Sequence, residues 1–456
     1  MRPPGPPLDE LAAVVGGRHV LTGRDVVAGY AADWTGRFVG ATPAVVRPGS
    51  TAEVAAVVAA CRAHGTAIVP QGGNTGLVGG GVPLAGEVVL SLRRLSAVGP
   101  ADATAGQLTA GAGATLSDVH RAAAAAGWAY GVDMASRDSA TVGGTVATNA
   151  GGTRVLRHGD TRAQVLGIEA VLGDGSVVSH LGGLVKDNTG YHLPSLLCGS
   201  EGTLAVVTAA RLRLVPRADE RVTALVAFGA VGDAVAAAGS LRRALASLDA
   251  AELFLDPGLA LVCSVTGRGR PFPCAHGAYL LVEAAGATSP LDDLAGAVES
   301  LAGAEDVAVA VDSVRAAELW RYREAHTEAI ATLGPAHKLD VAVPADALAA
   351  FVDAVPAVVA AVAPRARTWL FGHVCDGNVH VNVTGVAPGD AAVDDAVLRR
   401  VAALGGSISA EHGIGTAKRA WLGLGRSPAE IAAFRAVKRA LDPEGILNPN
   451  VLLPPP

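Results

Sequence analysis

The side chains best able to do chemistry lie in two short segments. Phe371-Gly-His-Val-Cys-Asp-Gly-Asn-Val-His-Val-Asn-Val383 carries two histidines, and Glu411-His412 adds a carboxylate and a third imidazole. Val379, Val381 and Val383 alternate with His380, Asn382 and Thr384, the period of a strand with one polar face. Asp376-Gly377 predicts a two-residue hairpin turn. That turn would pair Val374 with Val379 and His373 with His380. Directly opposed residues have Cβ atoms about 4.5–5.5 Å apart. Two imidazoles at that spacing can share a divalent metal, with Glu411 as carboxylate ligand and one position left open for substrate. The plainer alternative is two strand histidines hydrogen-bonded to backbone. The registered pair and the second Glu-His together favour the metal. Cys375 sits beside these residues and reads as part of the turn.

The elements that must position these groups follow from pattern. From about 221 to 420 strands and helices alternate, as in an α+β domain on an antiparallel sheet. Ala316–Thr332 predicts one helix, with Trp320, Arg323 and Thr327 on a shared face. Arg323 there is either a surface cation–π partner of Trp320 or a fork aimed at a substrate carboxylate. Lys338 shares a side of strand Ala336–Val343 with Asp340; a solvated edge lysine is the alternative.

The first half reads as strand, Gly-rich loop and helix in turn. Ala44–Val46 is a strand, and Ser50-Thr-Ala-Glu53 is a capping box opening a helix to about His64. Ala67–Val69 runs into Pro70-Gln-Gly-Gly-Asn-Thr-Gly-Leu-Val-Gly-Gly-Gly81, a loop whose backbone amides can wrap a pyrophosphate. It is not a dinucleotide fingerprint, because no helix follows and the spacing differs. A tight structural turn is the alternative. Gly111-Ala-Gly-Ala-Thr115 opens a helix over 116–126. Ala140–Gly152 is a third Gly-rich block, with Thr145, Thr148 and Asn149 suited to a flat ligand. Asp160–Val178 predicts a hairpin turning at Gly173-Asp-Gly175. Lys186–Gly190 is a polar loop, Gly199–Thr203 precedes a strand at Leu204–Thr208, and Leu441–Asn450 is a helix stop followed by a loop.

Composition narrows the function. Gly is 57 of 456 residues, nearly twice the usual ~7%, as in chains that bring backbone close to ligand. Net charge is -6, without the basic footprint of a nucleic-acid binder. Five scattered cysteines, with no Cys-x-x-Cys, argue for a reducing compartment and against a thiolate metal site. No apolar run reaches the ~18 residues that span a membrane. The Pro-rich residues 1–7 read as a short disordered arm.

Taken in order, these blocks resemble the FAD-linked dehydrogenases of D-2-hydroxy acids, within the vanillyl-alcohol-oxidase-like flavoproteins. The likeness spans about 35–453. It rests on the 70–81 loop, the 143–152 block, Lys186-Asp-Asn-Thr-Gly-Tyr191, Gly199-Ser-Glu-Gly-Thr203, Trp320-x-x-Arg-Glu324, the His373/His380 segment, Glu411-His412-Gly413 and Leu447-Asn-Pro449.

The resemblance implies an α+β fold: a two-part FAD-binding domain of the PCMH/vanillyl-alcohol-oxidase type and a ferredoxin-like α+β substrate domain. The expected divisions are 1–36, an arm and helix; 37–217, the FAD domain; 218–420, the substrate domain with the metal site; and 421–456, a tail returning to the FAD domain. Pro70, Gly72, Gly73, Asn74, Thr75, Gly76, Asp133, Ser136, Gly143, Gly144, Thr148, Asn149, Glu201, Gly202, Val206 and Asn448 would hold FAD. Covalent relatives carry a histidine in the first loop; Asn74 stands there, implying non-covalent FAD.

Arg323, Thr327, Lys338, Asn382 and His412 would bind substrate. His412 would be the base, and His373, His380 and Glu411 would hold a divalent metal, zinc in close relatives. His192 departs from the Asp common after Tyr191. The implied reaction oxidises a D-2-hydroxy acid to the 2-oxo acid. Electrons would pass to electron-transfer flavoprotein, quinone or cytochrome, with no nucleic acid as partner. A homodimer is compatible, and the expected location is cytoplasmic or peripheral at a membrane. Two alternatives stand: a transferase resembling alkyl-glycerone-phosphate synthase, and a non-catalytic FAD-binding partner subunit.

Overall fold

The computed structural model describes residues 5–455. Residues 1–4 of the expected N-terminal arm lie outside that range. The chain divides into two compact units: 1–152 with 158–216 and 411–456, and 153–157 with 217–410.

The first unit contains two four-stranded sheets. One is ordered Val20–Leu21, Val45–Val46, Val88–Ser91, Ile68–Gln71, its last three strands parallel. The other is antiparallel, ordered Gln107–Gly111, Ala205–Arg213, Val165–Leu172, Val177–His180. Helix Thr51–Ala63 starts where the Ser50 side chain accepts the Glu53 amide. The reciprocal bond of the expected box goes elsewhere: Glu53 accepts from Gly49 at 2.7 Å. Helix Leu116–Ala125 has both bonds of a capping box, between Thr115 and Asp118. Val54, Val57, Val58 and Cys61 face inward with Ile68, Leu90 and Val206. The expected hairpin from Asp160 opens instead with a helical turn, Thr161–Gln164, because Asp160 caps it by accepting the Ala163 amide. The strand expected at Leu204–Thr208 continues to Arg213, held between two antiparallel neighbours.

The second unit is built on seven strands, all antiparallel. Their order is Ala304–Ala310, Glu220–Phe228, Ala278–Gly286, Leu248–Leu255, Arg367–His373, Asn378–Thr384, His337–Ala342. The helix expected at Ala316–Thr332 is two, Ser313–Glu324 and His326–Ala331, meeting at Ala325 (φ -72°, ψ -6°). It begins early because Asp312 caps it, accepting the amides of Val314 and Arg315. Phe254, Tyr279, Ile330, Trp369 and Phe371 form the core beneath it. Among the described residues, no helix is long and apolar enough to cross a membrane.

Candidate active site

In the second unit four neighbouring strands bring the polar groups together. Glu252 lies opposite His373, Phe371 opposite His380, and Asp340 opposite His380 on its other side. The predicted pairing of His373 with His380 is therefore two residues out. Val374–Asp376 form a 3-10 turn, closed by Gly377 in the left-handed region (φ 77°). A two-residue type I′ turn needs left-handed backbone at both central residues, and Asp376 is right-handed within the 3-10 turn. A slip of two preserves the face. The two imidazoles remain neighbours, ring centroids 5.4 Å apart and edge to face.

Each imidazole is backed by a buried carboxylate. His373 Nδ1 lies 2.5 Å from Glu252 Oε1, and His380 Nδ1 lies 3.6 Å from Asp340 Oδ1. Asp340 also accepts from Asn378 Nδ2 at 2.7 Å. At His373 the carboxylate bonded to Nδ1 fixes the proton there and turns Nε2 outward as a ligand atom, whereas the His380–Asp340 contact is an ion-pair distance longer than a hydrogen bond. The donor set thus fits a divalent metal. Burial by itself would push the Glu252 carboxyl up; Arg323, His373 and His380 outweigh it and hold the group below the usual carboxylate range.

Arg323 is held by two contacts inside the second unit. Its Nε donates to Glu252 Oε2 at 2.6 Å, and its guanidinium lies 4.5 Å above the Phe371 ring. It does not stack on Trp320, whose Nε1 donates to Glu283 at 2.9 Å. Thr327 lies beyond the Ala325 junction, on the second helix. Lys338 and Asn382 are register partners two residues along from Asp340 and His380, so all four point to one face. The sequence reading missed Glu252 and Asp340 as functional residues. Glu252 had a signal, shared with Asp249: a carboxylate inside the otherwise apolar Leu248–Leu255 strand.

In the first unit the expected flavin segments share unusual backbone. Asn74, Asn149, Glu201 and Asn448 have positive φ, strained for residues with a side chain and typical of ligand sites. The amides of Gly73 to Gly81 donate to no acceptor among the described residues. Arg93 binds the carbonyls of Gly72 and Gly73 at 3.3 and 3.1 Å, which turns the amides of Gly73 and Asn74 the other way. The loop lies so close to 139–141 that a Cβ on Gly72 would meet Thr141, and one on Gly73 would meet the Ser139 carbonyl. Gly143 and Gly144 open the helix Val142–Thr148, capped by Thr141, and Thr148 donates to the Gly144 carbonyl. Asp133 is buried and meets Arg137 at 3.1 Å, with Ser136 in the turn between them. Val206 is a core side chain at 0% exposure.

The Asn448 amide donates to the carbonyls of Gly80 and Glu201 at 2.9 and 2.8 Å. Its buried Oδ1 has no partner. That orphaned acceptor, the row of unpaired amides and the left-handed residues fit a polar, phosphate-bearing cofactor. Glu411 and His412 also belong to this unit. Glu411 Oε1 accepts the Gly152 amide at 3.0 Å.

Comparison with known proteins agrees with this geometry. Residues 42–180 match the FAD binding domain family, and residues 217–452 match the FAD linked oxidases, C-terminal domain. A D-2-hydroxyglutarate dehydrogenase of Xanthomonas citri is 40% identical over 438 residues, covering 93% of this chain and 92% of that protein. The mitochondrial D-2-hydroxyglutarate dehydrogenase of Bos taurus is 36% identical, over 98% of this chain and 84% of the relative.

This chain belongs to the FAD-linked D-2-hydroxy acid dehydrogenases. It is a flavoprotein oxidoreductase acting on CH–OH groups, and 42–180 is its FAD-binding domain. Among solved structures, p-cresol methylhydroxylase superposes with TM-score 0.79 at 16% identity, covering 98% of the dehydrogenase and 96% of that chain. Alkyldihydroxyacetonephosphate synthase superposes with TM-score 0.74 at 17% identity, covering 98% and 86%. These likenesses show the expected PCMH-type fold and nothing of activity.

Proposed function

We propose that this enzyme oxidises D-2-hydroxyglutarate to the 2-oxo acid, losing a hydride from C2 and a proton from the hydroxyl. The observation that carries the reading is the convergence of Arg323, His373 and His380 in one unit, two of them on the same buried carboxylate. The names of the relatives support the choice of substrate.

Arg323 binds the C1 carboxylate as a planar fork, assisted by Thr327 and Lys338. Asn382 and His412 complete the substrate contacts. His412 takes the hydroxyl proton, as a neutral imidazole can near pH 7. His373, His380 and Glu411 would hold a divalent metal, zinc in our reading, which when bound acidifies a coordinated hydroxyl. FAD, when bound, supplies the two-electron sink for the hydride. The residues that would hold it are Pro70–Gly76, Asp133, Ser136, Gly143, Gly144, Thr148, Asn149, Glu201, Gly202, Val206 and Asn448, with no covalent link at Asn74.

Reducing equivalents then leave to a non-nicotinamide acceptor: electron-transfer flavoprotein, a quinone or a cytochrome. The enzyme works in the cytoplasm or at a membrane surface. Anaerobic titration with D- and L-2-hydroxy acids tests the reading. Bleaching of the flavin by D-2-hydroxyglutarate ahead of D-lactate and glycolate is expected. A flavin left oxidised by every hydroxy acid would favour transferase chemistry instead.

A further inference from the structure

Glu252 has no part in the chemistry above, yet it touches both halves of it. It is fully buried, at 0% exposure. One carboxylate oxygen meets His373 Nδ1 at 2.5 Å, and the other accepts Arg323 Nε at 2.6 Å. We propose that Glu252 is a positioning residue that couples metal loading to substrate affinity by holding His373 and Arg323 in one fixed relation. This rests on the roles given above to those two residues.

A buried carboxylate is costly unless paired and hydrogen-bonded, and here each oxygen has its own cationic or imidazole partner. With both oxygens engaged the group cannot rotate to favour one side. At His373 the Nδ1 contact directs the Nε2 lone pair away from Glu252. At Arg323 the Nε bond sets the rotation of the planar guanidinium, and the Phe371 ring 4.5 Å beneath sets its plane. The two Nη groups are then the ends left to grip a carboxylate.

A shift of His373 on losing metal moves Glu252, and Glu252 moves the fork. The strand register enforces this. Glu252 is opposite His373 and Phe254 is opposite Phe371, so the carboxylate and the ring that carries the guanidinium share one pair of strands. Coupling of this kind is reciprocal: substrate must tighten metal by the factor by which metal tightens substrate.

The test is Glu252→Gln in the full-length FAD enzyme. Zn2+ affinity, read by chelator competition, should fall roughly 10–100-fold, the scale for losing the carboxylate behind a metal-ligating histidine. KM for D-2-hydroxyglutarate should rise about tenfold even at saturating Zn2+, the scale of one lost charge-assisted hydrogen bond. Bound FAD should be unchanged. In an Arg323→Lys background the Gln substitution should add no further rise in KM, since contacting residues are non-additive.

Unchanged Zn2+ affinity, a KM restored by excess Zn2+, or additive effects on KM would each overturn the coupling. If the Gln variant does not fold, Glu252→Asp keeps the charge and shortens its reach. Loss of both affinities in that variant supports the proposal, and wild-type values overturn it. Wild-type enzyme that binds no divalent metal would defeat the metal reading of His373 itself. The Arg323→Lys cycle would still decide the contact with the fork.

Discussion

Glu201 accepts the Gly415 amide on Oε2 at 2.7 Å, while its Oε1 accepts the Ile414 amide at 2.8 Å. The turn just after Glu411-His412 is thereby bonded to the Gly199–Thr203 motif. Glutamine at 201 would present a donor to one of those two amides, leaving a buried donor unmatched at about 1–3 kcal/mol. Glu201→Gln should therefore lower the melting temperature and slow flavin reduction. A variant with wild-type melting and reduction rates would show that the turn needs no such anchor.

FAD should come away intact on acid precipitation, one per chain. The first loop offers Asn74, whose Nδ2 donates to the Ala32 carbonyl at 2.8 Å, where covalent relatives have a nucleophilic histidine. Yellow colour that stays with the precipitated polypeptide would refute this.

His380→Ala should strip most of the metal and most turnover, with FAD content and spectrum preserved. His380 belongs to the second unit and the flavin segments to the first. Elemental analysis of active wild-type enzyme is the check, and a protein fully active without stoichiometric metal counts against the site.

Recognition and chemistry should separate. Arg323→Lys keeps the charge but loses the fork, so it should chiefly raise KM. His412→Ala should slow flavin reduction by roughly 10²–10⁴-fold, the usual contribution of a general base, with a smaller change in substrate binding. Stopped-flow reduction at the wild-type rate in the His412 variant would remove it from that role.

Acid sensitivity should trace in part to His326. Burial against Phe254 and Phe371, then the Arg323 charge, lowers its pKa to about 3, and its Nε2 has no partner. The unfolded chain takes up this proton near pH 6.5, the folded chain only near 3. Stability must then fall as pH drops through that window, by at most about 1.4 kcal/mol per pH unit from this group. His326→Phe should flatten the slope of unfolding free energy against pH between 6 and 4. An unchanged slope would clear His326.

The sequence by itself determined the local features. The Ser50 cap, the helix opening after Thr115, the loop without a following helix and the polar alternation at His380–Thr384 depend on neighbours a few residues away, and all are present. Order of motifs was enough for the family and for FAD.

The hairpin register was not legible. Asp376-Gly377 suits a two-residue turn, but the 3-10 turn over Val374–Asp376 uses only one left-handed residue, and pairing with strands on both sides fixed the choice. Nor could the sequence reveal that Glu252, some 120 residues before His373 (a separation of 121), would lie beneath both that imidazole and Arg323. Strand order in a seven-stranded sheet is decided by long-range pairing and shared burial. Those forces have no local signature beyond two carboxylates, Asp249 and Glu252, in an otherwise apolar strand.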